Sequence, residues 1–416
     1  MNMRTMAKYI LLCIVCFAGG AKARVISPNN SKKNTAFQLK PNGSPTPENE
    51  DWITVFVHGT MGLRELAGFK TFITLFREDV CETWYGKKCK QLRHDPRSYN
   101  SQAAQGIGLL PINTKGKPEN AASLFAQGYD LLQNTYFPHQ NNIGYYTYGW
   151  SGIVNCNERF EESIKMYQAL ARLMADLKKD HPHLKLRVFC YSHGANVTLN
   201  LAQVAACMNL NVPDFHIDEL ISIAVPVQRS TDCFVADPFF KKVYSLYSRW
   251  DYVQKMDMFS FNRFFSDRKF FDNARCLIPS NVKQIEMRVT VAAENDLKQP
   301  YPSKKRINRS PGHLELWLYG WPGSTRLYRS HFPLVPFPAA LLAPAIISTV
   351  DTHCTNQTKT VVEVQPDTGN AVMRALHSHK KQTVPLIKTS LLETLKRQAW
   401  EFYNRVIKPR NEITID

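Results

Sequence analysis

Apolar and polar positions along the chain follow two rhythms that take turns. Six short runs rich in β-branched and aromatic residues predict strands: Trp52 to Val57, Ile143 to Gly149, Leu184 to Tyr191, Leu220 to Pro226, Val243 to Tyr247 and Ile285 to Ala292. Between two of them, Phe160, Ile164, Tyr167, Leu170, Met174 and Leu177 recur at helical spacing, which predicts a helix over 157–179 with that stripe facing inward. Glu161 and Glu162 near its start and Lys178 and Lys179 at its end suit the helix dipole. Ala195 to Met208 predicts a second helix. Strands alternating with helices predict an α/β fold, a mostly parallel sheet flanked by helices.

Other stretches break the rhythm. The connection from Leu63 to Asn142 is longer than one crossover helix needs, so a cap-like insertion is expected near 81–142. A second insertion is expected near 255–283, where six phenylalanines sit among basic residues. It reads as a packed satellite cluster, with a lid or membrane-facing flap as the alternative. Phe332 to Val350 carries no charge but contains Pro333, Pro336, Pro338 and Pro344. Prolines interrupt helical ladders, so a buried extended segment, or one lining an acyl-chain pocket, is expected rather than a spanning helix. Ser390 with Glu393 gives a capping-box pattern, and Leu392, Leu395, Ala399, Phe402 and Val406 predict an amphipathic helix packed on the body. The main domain is expected over 51–330, with 331–416 a C-terminal extension packed on it.

The first residues read as an address. Arg4 and Lys8 precede a short apolar run, Tyr9 to Phe17, and Ala21-Lys22-Ala23 offers a cleavage site. These features predict a signal peptide over 1–23 and a secreted or periplasmic protein, with 24–50 a flexible polar leader. Of the 10 cysteines, Cys190 and Cys207 fall in apolar runs and are expected as buried thiols. Cys81, Cys89, Cys156, Cys233, Cys276 and Cys354 are disulfide candidates, with Cys81 and Cys89 a plausible local bridge.

Composition narrows the function classes. The 416 residues are 44% hydrophobic with a mean hydropathy of -0.32, which excludes a disordered chain and a polytopic membrane protein. The net charge of +17 is spread along the chain, without a zinc-finger, helix-turn-helix or RNA-recognition signature, so no nucleic-acid partner is expected. It reads as a solvated basic surface, with peripheral contact to an anionic membrane as the sharper alternative.

The chemistry concentrates at strand ends. The run Leu184 to Tyr191 passes straight into Ser192-His193-Gly194, and a helix pattern follows at once. A serine in a sharp strand-to-helix turn has its hydroxyl lifted clear of the sheet, beside the N–H groups of a helix start. Earlier, the run Trp52 to Val57 ends in His58-Gly59-Thr60-Met61-Gly62, and Ile143 to Gly149 is followed by Trp150-Ser151-Gly152.

These motifs resemble the α/β-hydrolase superfamily in its lipase and esterase branch. The family pattern Gly-x-Ser-x-Gly is matched by Cys190-Tyr191-Ser192-His193-Gly194, with cysteine in place of the first glycine. The resemblance implies Ser192 as nucleophile, with an acid and then a histidine later in the chain. Asp251, after the run Val243 to Tyr247, is the implied acid, with Asp257 as fallback. His313, past the last strand run, is the implied base, with His331 and His353 behind it. The resemblance also implies an oxyanion hole from the N–H groups of Thr60 and His193, Met61 being second choice to Thr60, while His58 holds the loop and Tyr148 to Gly152 packs beside the serine. The implied activity is hydrolysis of carboxylic esters, lipid-like by the phenylalanine-rich and uncharged segments, without metal or organic cofactor. An acyltransferase using the same residues and a catalytically inactive binding module are the alternatives. The resemblance covers about 51–320.

Overall fold

The computed structural model describes residues 50–61, 80–95, 99, 102–207, 215–255, 266–292, 306–309, 311–318, 339–353, 359–365, 370–375 and 381–407. The chain divides into compact units between Thr46 and Pro47, and all the described residues belong to the second. The expected signal peptide and nearly all of the leader, the phenylalanine-rich core at 256–265, and residues 319–338 lie outside the described residues.

One eleven-stranded mixed sheet organises the protein. Seven parallel strands make its centre: β1 (Glu50–Val57), β3 (Gln140–Gly149), β4 (Lys185–Tyr191), β5 (Ile217–Ile223), β6 (Phe240–Tyr247), β7 (Val282–Ala292) and β9 (Lys359–Gln365), in the order β3-β1-β4-β5-β6-β7-β9. Antiparallel strands finish the edges: β2 (Gly108–Pro111) beside β3, β10 (Asn370–Ala375) and β11 (Lys381–Pro385) beyond β9, and β8 (Arg306–Arg309) on the end of β7. All six expected strands are among the parallel seven.

Period-2 alternation sends side chains to both faces. In β1, Ile53, Val55 and Val57 enter one apolar core and Phe56 the other. The first core is capped by α3 (Cys156–Leu177) and α4 (His193–Cys207), and the second by α2 (Ala121–Tyr136), α5 (Ala339–His353) and α6 (Thr389–Phe402). Asn120 and Asn155 start α2 and α3 by accepting the N–H groups of Ser123 and Glu158 at 2.9 and 3.1 Å. The connections after β1 and β4, neighbouring strands, run to opposite sides, through α2 to β3 and through α4 to β5. The C-terminal ends of β1 and β4 therefore border the place where such sheets open a crevice.

Four expectations need correction. The buried face of α3 is rotated from the expected stripe: it begins with Arg159, Glu162 and Ser163, while Phe160, Ile164 and Leu177 lie at its half-buried margin. The uncharged segment is helical from Ala339 on, despite Pro344. A proline inside a helix costs about 3 kcal/mol. Burying Leu341, Leu342, Ile346, Ile347 and Val350 at ~1.5–3 kcal/mol each outweighs that. The C-terminal extension does more than pack on the domain, because β9, β10 and β11 continue its sheet. Cys207 is exposed, since it ends α4 rather than lying within it. Within the first insertion, α2 is the crossover helix itself, and α1 (Trp84–His94) packs Tyr85 and Cys89 against Met61, Ile153 and Val154. Among the described residues, no helix is long and apolar enough to cross a membrane.

Candidate active site

The loops that follow β4, β6 and β8 bring Ser192, Asp251 and His313 together. The Ser192 hydroxyl lies 2.9 Å from His313 Nε2, and His313 Nδ1 lies 2.7 Å from Asp251 Oδ2. A carboxylate only accepts, so Nδ1 carries the imidazole proton and Nε2 is left to accept from the serine. All three are buried, Ser192 at 2% exposed, His313 at 5% and Asp251 at 0%.

The turn that carries Ser192 is strained. Its φ is +52°, in the left-handed region that non-glycine residues rarely occupy, and α4 begins with the next residue. The Ser192 N–H is fixed on Ile223 O at 2.9 Å. Neighbouring backbone passes so close that only glycine fits in two places. A Cβ on Gly194 would lie 2.3 Å from His58 O, and one on Gly59 would lie 2.8 Å from Ser192 Cβ. Cys190, in place of the family's first glycine, causes no conflict because its thiol is buried in the core and directed at Ile221 O. Burial pushes that thiol far up, so it stays protonated.

Asp251 is held from two sides. Its Oδ1 accepts from Gln254 N at 3.1 Å, and its carbonyl accepts from Arg268 Nε at 2.7 Å. The loop before His313 is tied down by Ser248, whose hydroxyl donates to Pro311 O at 2.5 Å. The Tyr191 ring packs 5.0 Å from His313 and stacks on Trp317 at 5.2 Å, while its hydroxyl donates to His313 O. Asp257 and His331 lie outside the described residues, and His353 is exposed at the end of α5.

The loop after β1 lies against the serine turn. Met61 N donates to Gly152 O at 3.0 Å, so that N–H is already engaged. Thr60 Oγ1 is buried without a hydrogen-bond partner. His193 opens α4, so its N–H belongs to the first turn, where the positive end of the helix dipole lies. A helix start of this kind favours negative charge nearby.

Two buried arginines support this region, and sequence reading missed both. Arg93 of α1 donates to His58 Nε2 at 2.7 Å, and Trp150 N donates to the same nitrogen at 3.2 Å. Trp150 also stacks on the His58 ring and donates to its carbonyl. Arg159 of α3 donates to His193 Nδ1 at 3.0 Å and to Gln228 Oε1 at 2.8 Å. Neither guanidinium has a carboxylate within ion-pair distance among the described residues. Burial first, and then the adjacent arginine, hold both His58 and His193 well below the usual histidine range, so both rings are neutral acceptors. His58 therefore locks the loop rather than moving protons. Tyr191 and Trp317 also went unmarked. The signal available for Arg159 was its place on the inward side of α3, which the sequence pattern assigned to the neighbouring apolar residues. Nothing local marks Arg93.

Among the described residues, no group of three or more His, Cys, Asp or Glu is arranged to hold a metal ion. The arrangement can pass a proton from the Ser192 hydroxyl to His313, with Asp251 stabilising the resulting imidazolium.

No protein-family model matches the chain, and no curated protein matches it. Among solved structures, it is similar to the crystal structure of a gene product from Listeria innocua, at 14% identity over 49% of this chain and 72% of that one. The TM-score of 0.21 is too low for that likeness to bear on fold or function.

Proposed function

We propose that the protein is a serine hydrolase of the α/β-hydrolase superfamily that cleaves carboxylic esters through an acyl-enzyme. The observation that carries this reading is the hydrogen-bonded chain Ser192–His313–Asp251, with Ser192 strained at φ +52° on a strand-to-helix turn. Ser192 attacks the ester carbonyl as His313 takes its proton, and His313 returns that proton to the departing alcohol. The N–H groups of Thr60 and His193, with the unpartnered Thr60 hydroxyl, stabilise the oxyanion. Water activated by His313 then releases the acid.

A lipid-like ester is the substrate class we favour. Trp250 and Tyr252 flank the buried Asp251 and are 59% and 65% exposed, with Phe271 and Leu277 also exposed. Arg268 lies over the Tyr252 ring at 5.4 Å and Lys269 over Phe271 at 5.1 Å. Exposed aromatics interleaved with cations suit the headgroup region of an anionic membrane. Export through the N-terminal signal would deliver the enzyme there.

The test is hydrolysis of an ester panel of increasing acyl length by the wild type and Ser192→Ala. The reading expects a Ser192-dependent rate, higher for longer chains presented on anionic vesicles. A rate unchanged in Ser192→Ala would overturn it. Product analysis with added alcohols separates hydrolysis from acyl transfer by the same residues.

A further inference from the structure

Cys233 and Cys276 come from segments far apart in the chain. Cys233 lies in the 3-10 turn Asp232–Ala236, and Cys276 lies in the loop that leads to β7. Both are half-buried, and both lie against the Asn273 side chain. The two segments are laced together around them. The Arg275 guanidinium pairs with Asp232 at 2.5 Å and donates to Arg229 O at 2.6 Å. Asn273 closes the turn by donating its N–H to Cys276 O and accepting Cys276 N at its Oδ1, at 3.0 and 3.2 Å. The same Oδ1 lies 3.9 Å from the Cys233 sulfur, and Asn273 Nδ2 lies 3.4 Å from Asp232 Oδ2. The turn thus holds Cys276 beside Cys233, with Asn273 Oδ1 between them. Elsewhere Cys81 turns to Glu158 rather than to Cys89, Cys89 turns to Met61 O, Cys156 lies against Arg159 and Cys190 points at Ile221 O. Cys354 lies outside the described residues.

We propose that Cys233 and Cys276 are joined by a disulfide that closes the loop carrying Asp251. The oxidant is a disulfide of the exporting compartment, either a small molecule or an exchange protein. One cysteine thiolate attacks it and releases a thiol, and the second thiolate then displaces the other half. Two protons and two electrons leave the pair, and the oxidant becomes two thiols. Burial, then the neighbouring thiol and Asp232, push the Cys233 thiol up to about 12. Such a thiol is a poor leaving group, so the bond resists exchange once made. The bond fastens both ends of a loop whose interior already holds Asp251 through Gln254 and Arg268 and lies on the core through the Val227–Asp267 bridge. A cross-link there restricts the unfolded chain and stabilises the acid's setting. The bridge does not depend on the ester-hydrolase reading.

The experiment is peptide mapping of the full-length protein, folded and incubated with oxidised glutathione. Free thiols are alkylated before digestion, without reduction. A cross-linked pair of peptides bearing Cys233 and Cys276, which separates on reduction with a gain of two hydrogens, is expected. The double variant Cys233→Ser/Cys276→Ser should melt several degrees lower than the oxidised wild type, and reductant should lower only the wild type. Both cysteines found alkylated, or either joined to Cys354 or another cysteine, would overturn the proposal. If the double variant fails to fold, the wild-type map decides alone.

Discussion

Asp251→Asn isolates what the carboxylate does, because its two oxygens have different partners. Oδ1 accepts from Gln254 N at 3.1 Å and Oδ2 accepts from His313 Nδ1 at 2.7 Å. Gln254 is fully buried, so its N–H must keep an acceptor, and the asparagine oxygen turns to it. The amide NH₂ then faces His313 Nδ1 and forces that nitrogen to accept. The imidazole proton moves to Nε2, which can no longer accept from the Ser192 hydroxyl 2.9 Å away. Losing the base in this way costs about 10³–10⁴ in kcat/KM, or ~4–5.5 kcal/mol of transition-state stabilisation. Both polar contacts survive, the one to Gln254 unchanged and the one to His313 reversed in direction, so folding stability should shift by less than about 1 kcal/mol. The assay is kcat/KM on a short-chain nitrophenyl ester, paired with urea unfolding of each protein. A folded Asp251→Asn protein that retains a tenth of the wild-type kcat/KM would refute the reasoning.

Other perturbations follow from the same contacts. Gly194→Ala puts a methyl 2.3 Å from His58 O, a backbone atom, so the loop after β1 must move. It should destabilise by ~1–3 kcal/mol in urea unfolding and remove most activity, and a variant matching the wild type in both would contradict the packing. Thr60→Val removes only the buried hydroxyl that lacks a partner. It should lower kcat by about tenfold to a hundredfold with little change in KM, whereas Thr60→Ser keeps the rate; equal losses in both variants would exclude an oxyanion role for that hydroxyl. His58 and His193 are held neutral in the fold, below their ordinary value of 6.5. The unfolded chain therefore binds more protons below that pH. Their contribution is complete above pH 6.5 and is lost as pH falls below it, by up to about 1.4 kcal/mol per unit for each ring. Urea midpoints should drop between pH 6.5 and 5, above most carboxylate titration, and a flat profile there would show that the rings are not held neutral.

What could be read from the sequence follows the range of the interactions involved. The six strands are legible because a central parallel strand is buried on both faces and must be an apolar run, as in Ile53 to Val57. Ser192 and Gly194 are legible because strand, turn and helix adjoin within a few residues. Asp251 and His313 could be placed only through the chain order that the resemblance implies, since their meeting depends on the loops after β6 and β8. Nothing local marks Arg93, and the inward place of Arg159 is masked by the apolar residues beside it, because an arginine in a helix ordinarily faces solvent. Only the tertiary structure sets them against His58 and His193. The helix at Ala339 was hidden by its proline, whose local cost is outweighed by burial that no local pattern displays. The strands β9, β10 and β11 are short segments whose place at the sheet edge depends on β7, far back in the chain.

The central claim is that Ser192 is an activated nucleophile. The most direct measurement is covalent labelling of the folded chain by a fluorophosphonate, with the modified residue located by mass spectrometry. The account predicts one label, on Ser192, absent in Ser192→Ala and slowed by a factor of about 10³ or more in Asp251→Asn. Labelling at another serine, or labelling of Ser192 at the same rate in Asp251→Asn, would contradict it.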